Sequence, residues 1–369
     1  MSPRTLLRGT SALTAAAVMA SAGWALATPT GGTVVSGSAT ITQTDPKTIV
    51  IRQESDKVII EWENFDIGKG EHVIFDQPSS LAAALNRVLG GGKTAILGSL
   101  TANGQIVITN PKGIVFGPEA RVDVASIIAT SLGISNANFL SGRMIFDQPG
   151  EPGAVVSNAG EITVKEGGLA ALVAPGVENS GVIRARLGTV ALAAGNAATL
   201  DLYGDGLVQL AITAPVKDVP IGPDGQPVKA LVRQAGQIFA DGGTVVLTAE
   251  AAEGVIDRII NVEGIVQARS IESHDGQIAF VGGGGEVRVA GTVDASGQGD
   301  GVTGGTVHVL GDRVTLADNA SIDVSGAKGG GTVLIGGDAH GGPLVRTAGL
   351  GYEAPAADGA GGATVVLSK

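Results

Sequence analysis

The sequence predicts an all-β chain wound as a parallel β-helix, and three observations point there. Short β-branched runs recur along the chain, glycine interrupts them at 59 of 369 positions, and aromatic residues make up only 3%. Runs of this kind cannot bury an apolar face alone, but stacked coil upon coil they create one continuous core. A β-sandwich is the competing fold, and it usually carries more aromatic core residues and less regular glycine spacing. A hydrophobic share of 44% with mean hydropathy of +0.30 argues against disorder. Glycine also lacks the period of three that collagen requires.

Taken in order, residues 1–27 read as a Sec-type signal peptide. Arg4 and Arg8 give a positive start, residues 13–22 an apolar centre, and Ala25-Leu-Ala27 a cleavage signal. The apolar centre is too short to span a bilayer. The chain then enters an oxidising compartment with no cysteine, so no disulfide supports the fold. Residues 28–75 hold strand-like runs at 48–52 and 57–61 without the glycine repeat, which suits a cap over the first coil. Residues 80–88 place Leu81, Leu85 and Val88 at helical spacing and read as a helix-like or irregular insert. Two β-branched runs at 105–109 and 114–116 are joined by Asn110-Pro111-Lys112-Gly113. Asn, Pro and Gly there fill their preferred slots of a type I β-turn.

From about Ala154 a small unit repeats. Asn158-Ala-Gly-Glu-Ile-Thr-Val164 recurs as Asn179-Ser-Gly-Val-Ile-Arg-Ala185, with looser copies beginning at Asn261 and Val289. A second theme, Gly-Gly-Thr-Val, is interleaved at Gly242, Gly304 and Gly330, with a last echo at Gly361. Both themes supply the backbone freedom that tight corners need. Pro215, Pro220, Pro223 and Pro227 keep their segment out of any central strand, so it should project as a loop or hairpin. The expected organisation is a signal peptide over 1–27 and a cap with the first coils over 28–210. A proline-rich extrahelical loop over 211–232, further coils over 233–338 and a Gly/Ala-rich tail over 339–369 follow.

At the Asn110 turn the chain resembles the N-terminal secretion domain of the filamentous haemagglutinin family, the exoproteins of two-partner secretion. That family carries Asn-Pro-Asn-Gly in this context, and Lys112 stands here in place of the second Asn. Residues 84–88, 120–132, 177–195 and 200–206 also look familiar, so the resemblance spans roughly 30–340. It implies a right-handed parallel β-helix, secreted by a Gram-negative bacterium through an outer-membrane Omp85-type β-barrel whose periplasmic POTRA domains recognise it. The chain would cross unfolded and fold outside, and an adhesin acting on host-cell or bacterial glycans and proteins is the implied role. Asn110, Pro111, Lys112 and Gly113 would form the recognition motif, with Asn86 and Arg87 as a secondary one; each also has a purely structural reading.

Other chemistry finds little purchase. The net charge of −11 is spread without basic clusters, which argues against nucleic acid. His72, His274, His308 and His340 have no ligand spacing, so neither metal nor cofactor is expected. Gly282-Gly-Gly-Gly285 lacks the strand-to-helix setting of a phosphate loop. Because parallel β-helices also host polysaccharide enzymes, Asp201 and Asp205 with Arg184 and Arg186 are the candidates for a carboxylate site, and a solvated surface is the better reading. A secretion domain without an effector activity of its own is the other alternative.

Overall fold

The structure, a computed structural model, describes residues 28–201, 209–272 and 274–336, and the strands Val345–Arg346, Tyr352–Glu353 and Thr364–Leu367. Each coil visits three sheets in a fixed order. One coil runs from Val155–Asn158 on face C through Glu161–Val164 on face B to Leu169–Ala174 on face A, and Gly176–Asn179 then returns to face C. Among the described residues, faces A and B each contain 11 strands and face C contains 9. Pairing between successive coils is parallel and holds its register, as in Ile106 on Ile127, Ala170 on Val190 and Val245 on Ile278. The chain is a parallel β-helix.

The period of two along each strand decides what fills the column. On face A one inward row is Ile106, Ile127, Ala170, Val190, Val245, Ile278 and Val307; the next is Ile108, Ala129, Leu172, Leu192, Leu247, Phe280 and Val309. All of these are buried. Each large aliphatic side chain so placed contributes roughly 1.5–3 kcal/mol.

The two sequence repeats are the two corners. Gly160, Gly181, Gly236, Gly264 and Gly291 turn face C into face B; Gly188, Gly243, Gly305 and Gly331 turn face B into face A. At each of the last four positions of the first column, a Cβ would strike the backbone oxygen of the glycine one coil below. The same holds for Gly188 over Gly168, Gly243 over Gly188 and Gly305 over Gly276. Close coil approach, more than a special φ, is what these corners demand. Beside the first column runs a buried amide ladder. Asn158 Nδ2 donates to Asn179 Oδ1 at 2.8 Å across 21 residues, and Asn179 Nδ2 donates to Gln234 Oε1 at 2.7 Å across 55. The column thus keeps register across an excursion of the chain.

Thr33–Ser36 and Ala39–Asp45 close the N-terminal end by pairing antiparallel with Lys57–Trp62 and Thr48–Gln53. The expected cap is present, and bulges at Val34–Ser36 and Gln43–Asp45 interrupt the ladders of its outer strands, a feature that discourages edge pairing. The helix-like insert expected at 80–88 is corrected: Ala83–Val88 is a central strand of face A between Lys57–Trp62 and Gln105–Thr109. Its helical spacing is incidental, because apolar residues there face both an inner and an outer core. The outer core lies on the far side of face A, where Ile59, Leu85, Val107 and Ile128 stack in register. They are covered by the short helix Asn136–Leu140 and an antiparallel sheet of Met144–Phe146, Ala197–Asp201 and Gln209–Ala214. Of the segment 211–232 expected as a proline-rich loop, residues 211–214 belong to the strand Gln209–Ala214 and residue 232 opens the strand Val232–Gln234. In the tail, Thr364–Leu367 pairs in parallel with Arg313–Leu316, extending face C.

Outward rows carry ion pairs between coils. Burial pushes the Asp241 carboxyl up, but hydrogen bonds from Arg269 and Gln267 outweigh it and hold the group below its ordinary value. A carboxyl depressed in the folded state stabilises above its unfolded pKa and loses that contribution as pH falls through the folded value. Thermal stability should therefore hold at neutral pH and fall below about pH 4, and Asp241→Asn should flatten that acid limb in a melting series. Asn179→Ala removes the acceptor of Asn158 Nδ2 and the donor to Gln234 Oε1 within the core and should cost about 1–3 kcal/mol in denaturant unfolding. Gly236→Ala, which drives a methyl into backbone, should be worse.

Candidate recognition site at the Asn110 turn

Strand Gln105–Thr109 ends face A, and Ile114–Phe116 begins the next strand of face C. Between them Gly113 N donates to Asn110 O at 2.9 Å, closing a β-turn. Proline presets φ at the second position, and only Gly113 of the four residues has positive φ, at 104°. That is the expected type I arrangement. A side chain on Gly113 would strike the backbone of Val155 in the adjacent coil, so the fourth slot is confined to glycine.

Asn110 is only 1% exposed. Its Oδ1 accepts from Lys112 N at 2.9 Å, and its Nδ2 donates to Thr94 Oγ1 at 2.9 Å and Gly92 O at 3.0 Å. Its own N–H donates to Thr130 O at 3.1 Å. One side chain therefore shapes the turn and pins it to the loop at 90–93, while the backbone joins the following coil. Lys112 Nζ reaches Gly91 O at 2.6 Å, so the lysine holds the same loop from outside. Pro111 is exposed, and its carbonyl accepts from Glu151 N at 2.8 Å.

Asn86 and Arg87 lie one coil below, where Asn86 pairs with Ile108 and Arg87 with Thr109. The fold thus brings both expected motifs together. Asn86 is fully buried; its Oδ1 accepts from Trp62 Nε1 at 3.0 Å. Arg87 bonds Glu61 Oε1 at 2.9 Å, Ile134 O at 2.9 Å and Asn136 Oδ1 at 2.7 Å, fastening face A to the covering helix. The sequence reading missed Thr94, Trp62 and the glycines at 90–92 as partners. The run of three glycines beside the turn was the available signal.

The remaining candidates do not converge. Arg184 pairs with Glu161 at 3.1 Å and lies 4.9 Å over the Phe239 ring, while Arg186 pairs with Glu166. Asp205 and the Asp201 side chain fall outside the described residues, as do His340 and the signal peptide. His72 is exposed on face B, His274 lies in a turn, and His308 sits on the outer side of face A, where burial pushes its pKa down. Among the described residues no group of three or more His, Asp or Glu side chains is placed to hold a metal. Gly282 and Gly283 end a face A strand, and Gly284 and Gly285 form the corner after it.

Comparison with known proteins agrees with this architecture. A profile of the TPS secretion domain matches residues 25–295. The crystal structure of the HMW1 secretion domain from Haemophilus influenzae superposes with a TM-score of 0.70 at 33% identity, covering 84% of this chain and 77% of that one. Two heme/hemopexin-binding proteins of Haemophilus influenzae are also similar. One is 43% identical over 26% of this chain and 10% of its own length, and the other, from strain Rd, is 28% identical over 68% and 27%. The chain thus spans about a quarter or less of these relatives.

Asn110→Ala should destabilise the purified domain by about 1–3 kcal/mol in denaturant titration, because Thr94 and the Lys112 amide lose a buried partner. Lys112→Asn, on the surface, should shift stability by no more than about 0.5 kcal/mol.

Proposed function

Since the chain belongs to the TPS secretion domain family, we propose that it is exported by a cognate outer-membrane transporter of the Omp85 type that reads the Asn110 turn before the chain folds. TPS exoproteins are secreted, and the family is one of non-enzymatic secretion domains. The finer route is a Sec signal peptide, transit through the periplasm, capture by POTRA domains, and folding at the cell surface or beyond.

The burial of Asn110 carries this reading. A transporter that recognises its amide must meet it in the unfolded chain, because coil stacking consumes both its oxygen and its nitrogen in hydrogen bonds. Folding then withdraws the motif. Solenoid coils contact mainly their neighbours, so folding can propagate as each coil emerges. Withdrawal of the signal on the far side gives the passage a direction without an external energy source. Asn86 follows the same logic, being buried under Trp62. Once outside, the protein serves as a filamentous haemagglutinin-like adhesin, presenting rigid faces to host cells or sister bacteria.

Export separates these roles. Asn110→Ala should lower secreted protein several-fold while synthesis stays unchanged, measured by immunoblot of supernatant and cell fractions. Asn179→Ala, comparably destabilising but remote from the turn, should be secreted nearly as wild type. Equal export of both variants would remove the recognition role. For the adhesive role, cells displaying the protein should retain more bacteria or epithelial cells than a deletion strain, and equal retention would refute it.

A further inference from the structure

A cleft of about 890 Å³ opens between face C and the arm that leaves the rod after Ala214. The arm is a fixed wall: Gly222 N donates to Gln226 O at 2.7 Å, Val228 N to Pro220 O at 2.9 Å, and Ile221 N to Gly153 O at 3.2 Å. Its prolines restrict φ further, and Pro223, Pro227 and Val228 give the cleft an apolar side. The opposite side, the face C floor, sets a preorganised polar group beside Val115, Val155 and Val177. Glu178, Arg233 and Asn261 stand in register on successive coils. Arg233 is clamped between Glu178 and Glu263, with 2.8 Å to Glu263 Oε2, and buried Asn261 Nδ2 holds Glu263 Oε1 at 2.9 Å.

Charge and topology narrow what fits. Lys229, Arg233 and Arg258 balance Glu178, Asp224 and Glu263 along the cleft, and the whole chain carries −11, so nothing favours a polyanion. The floor strands Gly176–Asn179 and Val232–Gln234 are paired on both sides, leaving no edge for a peptide backbone to join. Burial pushes the Glu263 carboxyl up, but Asn261 and Arg233 outweigh it and keep the group ionised, which suits an acceptor and not a general acid. Fixed planar donors and acceptors facing an apolar wall match a pyranose, which has hydroxyl edges and an apolar ring face. Coils succeed one another every 4.8 Å or so, close to the length of one sugar unit.

We infer that this cleft binds a linear, uncharged oligosaccharide lying along the rod axis, one sugar per coil, with ring faces on the proline wall and hydroxyls on Glu178 and Arg233. The inference deepens the adhesive reading by naming a ligand class and a place, and it is independent of the route of export.

Purified full-chain protein, titrated calorimetrically with cellohexaose, chitohexaose and poly-N-acetyllactosamine, tests it, with heparin and sialyllactose as anionic probes. The expected result is binding of at least one neutral chain, little changed between about 0.1 and 0.5 M salt. Arg233→Ala should weaken it about tenfold or more. Because Arg233 also links coils, Gln226→Ala and Lys229→Ala on the exposed arm provide variants whose melting should match wild type while affinity falls. Binding to the anionic probes alone, no binding to any neutral chain, or affinity untouched in folded variants would overturn the inference. None of those failures bears on the cell-retention experiment, which reads adhesion whatever its ligand.

Discussion

Backbone-to-backbone approach at the corners is the constraint on which the rest depends. Three flat sheets stack in register only if the chain turns at the same place in every coil, with nothing protruding between one turn and the next. The glycine columns from Gly160 to Gly291 and from Gly168 to Gly331 meet that requirement, since most of their members abut the backbone of the coil below. With the corners fixed, strand alternation alone aligns Ile on Ile and Leu on Leu. Few large aromatic residues are needed within the repeating coils, where Phe116 and Phe280 are buried among aliphatic side chains; Trp62, Phe65 and Phe75 lie near the capped end.

The same stacking explains why polar residues lie so deep. Asn110, Asn86, Asn158, Asn179 and Gln234 are almost wholly buried, and each has partners for its amide. A buried amide without partners would cost more than an aliphatic residue gains, so these positions act as register locks that only the correct coil spacing satisfies. A residue of that kind is available before folding and spent afterwards. The proposed recognition role and the observed packing therefore fall on one side chain at Asn110, which is why a substitution there needs a destabilised control to be read.

Much of this was legible in the amino-acid sequence, for physical reasons. Corners leave a local mark, because only glycine tolerates the approach, and Asn158 and Asn179 recur with their glycines two residues on. The turn at 110–113 was equally readable, since each slot has its own preferred residue. What escaped was long-range. Residues 80–88 place apolar side chains on two faces because face A has a core on both sides, and that pattern imitates a helix. The covering unit joins Met144–Phe146 to Ala197–Asp201 across a coil and more of intervening chain, and no repeat signals such a pairing. Partners of Asn110 at Gly92 and Thr94 were hidden likewise, because adjacency between coils is set by the coil length and not by nearness in sequence.

Amide hydrogen exchange at the turn tests the central claim most directly. In the secreted, folded protein the N–H groups of Asn110, Lys112 and Gly113 are bonded to Thr130 O, Asn110 Oδ1 and Asn110 O. All three should exchange far more slowly than in the denatured chain, at rates comparable with the face A strands. Exchange at the rate of an open surface loop would contradict the account, because the motif would then remain available after folding.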